Sequence, residues 1–159
     1  MWKQAPTLTI ILLICAFSFF TAPAMAQGSD QITRPQLREM LVQLGYEVKD
    51  IVKDAGKEKY SVTLVKSGLD IPVGLEISSN SKYIWLTVNL GDAPKDTATV
   101  NHTLLKQNSK IQPSFFYITD KGRLMMGLPL DNRGITNAFL RDRVESISEN
   151  VGKTKDIWQ

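Results

Sequence analysis

The sequence predicts an α+β domain: one antiparallel five-stranded sheet with helices packed on one face. Three observations carry this. From Lys59 to Leu90 apolar residues recur at every second position, interrupted only by short turn signals. A second pair of alternating runs follows Ser114. Three stretches of helical period are set around them, giving the order α-β-β-β-α-β-β-α. The strand connections are too short for crossovers, so neighbouring strands must run antiparallel.

Residues 1–26 read as a cleaved secretory signal peptide. Lys3 is the only charge before the apolar run "LTIILLICAFSFF", and "TAPAMAQ" carries the small-x-small signal Ala24-Met25-Ala26. The run is short for a membrane span, so no membrane association is expected once the leader is removed. Cys15 does not fit a lipidation site, because Ile14 is bulky and Ala16 to Phe20 continue the apolar core past it. The chain after Ala26 therefore has no cysteine, and a periplasmic or secreted protein without disulfides is held by its core alone.

Residues 27–32, "QGSDQI", form a short polar lead-in, and 33–158 form a single domain. "TRPQLREMLVQLG" is the first helix. Thr33 and Gln36 make a capping box, Pro35 sits in the first turn, and Gly45 closes it. Leu37, Met40, Leu41 and Leu44 share one face. "YEVKDIV", Tyr46 to Val52, keeps no single period and reads as extended or irregular.

Three strands come next. "KYSVTLV" sets Tyr60, Val62 and Leu64 against Ser61, Thr63 and Val65. After the turn "SGLD", "IPVGLEI" places Ile71, Val73, Leu75 and Ile77 inward. Pro72 and Gly74 lie opposite, as suits an edge or bulged strand. "YIWLTVNL" follows "SSNS" with Ile84, Leu86, Val88 and Leu90 inward. Pro94 and Asp96 open a second helix, "DTATVNHTLLKQN", whose apolar positions are Val100, Leu104 and Leu105. In the next hairpin, Gly122 takes the positive φ of the turn between "SFFYIT" and "RLMMGLPL". The last helix starts near Thr136 and carries Leu140, Val144, Ile147 and Val151 on one stripe.

Composition excludes several functions. Net charge is only +3, falls by one with Lys3, and both signs are interspersed. This lacks the basic footprint of a nucleic-acid binder. The single histidine, His102, lies within a helix with no carboxylate three or four residues away, which leaves no nucleophile–base pair. No residues have metal-ligand spacing, no glycine-rich phosphate loop is present, and no cofactor is expected. Asp131 and Asp142 are close in sequence, but no carboxylate pair is framed by sugar-stacking aromatics. The expectation is a protein that is not an enzyme.

Two features remain. The outward positions of the strands collect Tyr83, Trp85, Phe115, Tyr117 and Met125, residue types enriched at interface centres. With helices on the other face, these form a candidate surface for a protein partner or for self-association as a homodimer. The last helix or the tail with Trp158 folding over them is the competing reading. The second feature is the corner "LPLDNRGIT". Asp131 and Asn132 are turn formers, Gly134 permits reversal, and Thr136 is an N-cap. Arg133, Arg141 and Arg143 near it are the candidates for an alternative role, a small-ligand or anion-binding sensor.

Four phrases in order resemble a known family: "LGYEV", "YIWLTVNLG", "SFFYITDKGRLMMGLPLDNRGIT" and the tail "TKDIW". Together, over Thr33 to Trp158, the chain resembles the bacterial YbjN-like family, whose members share the fold of type III secretion chaperones. The resemblance implies a small α+β domain that self-associates and binds polypeptide, with no catalytic residues to carry over. Secretion chaperones are cytoplasmic and acidic, whereas this chain carries a leader and is mildly basic. Effector loading is therefore not the expected role.

Overall fold

The computed structural model describes Met1 and residues 30–95 and 98–159. The leader, its cleavage signal, the first residues of the lead-in and Asp96 lie outside the described residues. Helix α1 spans Arg34–Gln43, and the capping box forms: the Thr33 side chain accepts from the Gln36 N–H, and the Gln36 side chain accepts from the Thr33 N–H. Four strands follow, β1 Lys49–Val52, β2 Lys59–Lys66, β3 Leu69–Ile77 and β4 Tyr83–Asp92. Helix α2 is Ala98–Asn108, β5 is Phe115–Ile118 and β6 is Arg123–Asp131. Helix α3, Asn137–Lys153, starts at Thr136, whose hydroxyl accepts from the Phe139 N–H at 3.2 Å. A short α4, Lys155–Trp158, ends the chain.

The sheet has six strands, not five, in the order β1-β2-β3-β4-β6-β5, all antiparallel. The extra strand is β1, inside the stretch that reads as irregular from sequence. It lies at the sheet edge with three of its four residues exposed, and a bulge falls between Asp50 and Val52. Neither condition leaves an apolar alternation in the sequence to detect. The β2–β3 turn is made by Ser67 and Gly68, both at positive φ, as a two-residue hairpin of matching twist requires.

The inner face is aliphatic and close to fully buried: Val62, Ile71, Val73, Leu75, Ile84, Leu86, Leu124, Met126 and Leu128. Leu37 and Leu41 of α1 and Leu140, Val144, Ile147 and Val151 of α3 belong to the same core. Trp158 packs against that core too, donating its indole N–H to the Val151 carbonyl at 3.3 Å. Helix α2 adds Leu104 beside Phe116, but Leu105 is 69% exposed and not a core position. It lines a groove of about 240 Å³ between α2 and β5.

The two sheet edges are closed differently. The β1 edge is short, bulged and flanked by Lys49 and Lys53, which discourages pairing. At the β5 edge, Asn108 of α2 accepts from the Phe116 N–H at 2.7 Å and donates to the Phe116 carbonyl at 3.3 Å. A side-chain amide thus makes the two bonds that a neighbouring strand would make.

Candidate protein-binding face

Strand register gathers the outward residues into rows. Lys59, Glu76, Trp85 and Pro129 form one row. Ser61, Gly74, Thr87, Gly127 and Phe115 form the next. Asn89, Met125 and Tyr117 form a third. Because β6 lies between β4 and β5, Trp85 meets Phe115 across it. Their centroids are 6.4 Å apart with planes at 80°, and Phe115 and Tyr117 are 5.7 Å apart at 41°. Edge-to-face contacts of this kind contribute about 0.5–1.5 kcal/mol beyond the area they bury.

Gly127 makes this packing possible. A Cβ there would lie 3.1 Å from both Phe115 Cζ and Tyr117 Cε1, so the two rings occupy the space of the missing side chain. Trp85, Phe115, Tyr117 and Met125 are half-buried by one another, and Tyr83 is 44% exposed at the end of the patch. Among the described residues no helix packs on this face, since α1, α3 and Trp158 all join the core on the other side. Burial, and after it the Glu76 carboxylate, pushes the Tyr117 hydroxyl above its ordinary range, so it remains a neutral phenol.

The charges nearest the aromatic patch are paired, and one of them, Glu76, is the cross-strand neighbour of Trp85. Lys59 bridges to Glu76, Arg123 to Asp92 at 2.5 Å, and Arg133 to Asp131 at 2.6 Å. Arg123 also donates to the Asn89 side chain at 3.2 Å. The rings are mutually inclined, so they offer no coplanar platform for a sugar ring or a nucleobase.

The corner after β6 is a tie between distant parts of the chain. Asn132 is completely buried. Its amide oxygen accepts from the Ile32 N–H at 3.3 Å, and its amide nitrogen donates to the carbonyls of Ile32 at 3.0 Å and Ser81 at 2.9 Å. Backbone bonds from Asn132 to Lys82 and from Gly134 to Asp30 reinforce it. Beside it, Arg133 grips Asp131 with two bonds, holding that carboxyl below its ordinary range.

The three candidate arginines are not brought together. Arg133 lines a cleft with Gln31, Lys82 and Tyr83. Arg141 donates to the Leu44 carbonyl at the end of α1, 3.0 Å away. Arg143 lies 4.8 Å from the Phe139 ring and 3.4 Å from Asp142. His102 is exposed on α2. Among the described residues no group of histidine, cysteine or carboxylates is arranged to hold a metal, and no helix is long and apolar enough to cross a membrane. Sequence reasoning missed Asn108 and Asn132. Asn132 has bonding partners 51 and 100 residues away, and no local pattern marks them.

This architecture is an α+β sheet with helices on one face, as in the type III secretion chaperones. A chain of the heterodimeric ExoU–SpcU complex from the type III secretion system of Pseudomonas aeruginosa superposes with a TM-score of 0.55 at 18% identity, over 76% of this chain and 96% of that one. YbjN from E. coli superposes with a TM-score of 0.55 at 16% identity, over 79% and 93%. No family model matches the sequence, and no curated protein does. The fold is therefore YbjN-like and type III secretion chaperone-like, in agreement with the resemblance carried by the four phrases.

Proposed function

We propose that this chain is a non-catalytic, exported domain that binds protein through the outer face of its sheet, in a bacterial periplasm or outside the cell. The observation that carries the reading is the aromatic patch of Trp85, Phe115, Tyr117 and Met125, which no helix covers among the described residues, with Tyr83 at its end and paired charges around it. Apolar, aromatic centres with polar rims are the anatomy of protein interfaces. The leader-like N-terminus supports export. The occurrence of a similar fold in the heterodimeric ExoU–SpcU complex supports a protein partner for this scaffold. A small-ligand or anion sensor would need Arg133, Arg141 and Arg143 to share a ligand, and each already has a partner of its own.

Trp85→Ser is the deciding variant. Partner recovery from the native envelope fraction, together with light scattering, is compared between it and the wild type. The expected result is a folded protein whose partner binding or self-association falls at least about tenfold, as for an aromatic at an interface centre. A folded variant that binds and assembles like the wild type removes the face from consideration.

A further inference from the structure

We propose that the cleft between α1 and the β1–β2 edge is a second binding site, which takes a primary ammonium group carried on a short apolar body. It lies on the helix side of the sheet, apart from the aromatic face, and stands whether or not that face binds protein. The cleft holds about 460 Å³. Val42 of α1, half exposed, and Val52 of β1 give it apolar walls, while Arg38, Asp50, Glu58 and Tyr60 supply its polar groups.

Tyr60 distinguishes this cleft from an ordinary dent in the surface. Only 4% of it is exposed, and among the described residues its hydroxyl has no hydrogen-bond partner. Buried polar groups are nearly always bonded. The hydroxyl is not sealed inside the protein, as that of Tyr46 is, so the accessible tip of Tyr60 is turned into the cleft. Burial, and after it the Glu58 and Asp50 carboxylates, push it above its ordinary range, so it stays a neutral phenol. Glu58 is short of donors as well. Its Oε2 is shut off from solvent with no hydrogen-bond partner, and its ion-pair partner Arg34 Nε stands 3.8 Å away.

The bonding capacity left over decides the chemistry of the ligand. Arg38 is committed to Asp50 by two bonds of 2.8 and 3.2 Å. Arg34 donates to the carbonyls of Ile77 at 3.1 Å and Ser78 at 3.2 Å. What remains unused is therefore on acceptors, the Glu58 carboxylate and the Tyr60 oxygen. An ammonium group has three donors and no acceptor, and its charge matches that of Glu58. A phosphate or carboxylate would instead face Asp50 and Glu58 with only the exposed Lys53 to hold it.

Isothermal titration calorimetry with hexylamine tests this, with hexanol as the uncharged match, at about pH 7, where the amine is protonated. The amine should bind with a Kd on the order of 1 mM, and hexanol should show no saturable binding. Tyr60→Phe and Glu58→Gln keep the shape of each side chain. Each should weaken the amine at least about tenfold, as for loss of a hydrogen bond to a charged group. Tyr60→Phe should leave the urea midpoint unchanged, because the hydroxyl bonds to nothing in the fold. The peptide Leu-Leu-Gly, with its N-terminus free or acetylated, separates two sources of the ammonium. Tighter binding of the free peptide than of hexylamine assigns the site to a polypeptide N-terminus, and weaker binding assigns it to a small free amine.

No saturable binding of hexylamine or the free peptide up to about 20 mM overturns the proposal. Equal binding of hexylamine and hexanol overturns it as well, and so does wild-type affinity in Tyr60→Phe. If Glu58→Gln fails to fold, Tyr60→Phe decides alone. Trp85→Ser should bind the amine like the wild type, so failure of this site and failure of the outer face are told apart.

Discussion

Asn132→Leu lowers the free energy of unfolding by about 2–4 kcal/mol, read from the shift in urea midpoint at unchanged slope. Leucine matches the shape but removes one acceptor and two donor bonds. The Ile32 N–H and the carbonyls of Ile32 and Ser81 lose their partners together. Each buried orphan costs about 1–3 kcal/mol, but Ile32 is only half-buried and water recovers part of the loss. Asn132→Asp separates the terms, since it keeps the acceptor, loses both donors and sets a carboxylate against two carbonyls. It should be at least as damaging. A loss below about 1 kcal/mol for leucine would mean that the backbone bonds of the corner hold the lead-in unaided.

Gly127→Val is the second large effect, and it acts on the face itself. Its Cβ would stand 3.1 Å from Phe115 and Tyr117, and the branch methyls would stand closer still, so both rings must swing off the strand. Overpacking of this kind costs about 1–3 kcal/mol. Valine's preference for strands returns up to about 1 kcal/mol. The net expectation is a loss of stability with an altered near-ultraviolet circular dichroism signal from the displaced aromatics. Combining it with Phe115→Ala relieves the clash, so the double variant should lose less than the sum of the singles. Additive losses, or an aromatic signal unchanged in Gly127→Val, would show that the rings do not depend on the missing side chain.

The fold was legible where residues face opposite environments. Alternation in "YIWLTVNL" and "RLMMGLPL" assigned inner and outer sets because one side meets aliphatic core and the other meets water. The same physics hid β1, an edge strand wet on most of its surface. The aromatic residues were visible as outward positions, but their convergence depends on β6 lying between β4 and β5, and neighbouring strands in space are not fixed by order in the chain. The corner drew attention through Arg133, which pairs with its near neighbour Asp131. Asn132, which looked like one more turn former, makes the long-range bonds. Local composition shows a turn; it does not show which side chain turns inward.

Asn108 has a wider meaning for how such a molecule assembles. An open strand edge adds copies without limit, each leaving a fresh edge for the next, and the product is a fibre. A face consumed by one docking event leaves nothing to extend, so assembly stops at a fixed number of subunits. With its amide acting as the last rung of the ladder at Phe116, Asn108 makes the sheet finite at that end and closes the route to open-ended growth there.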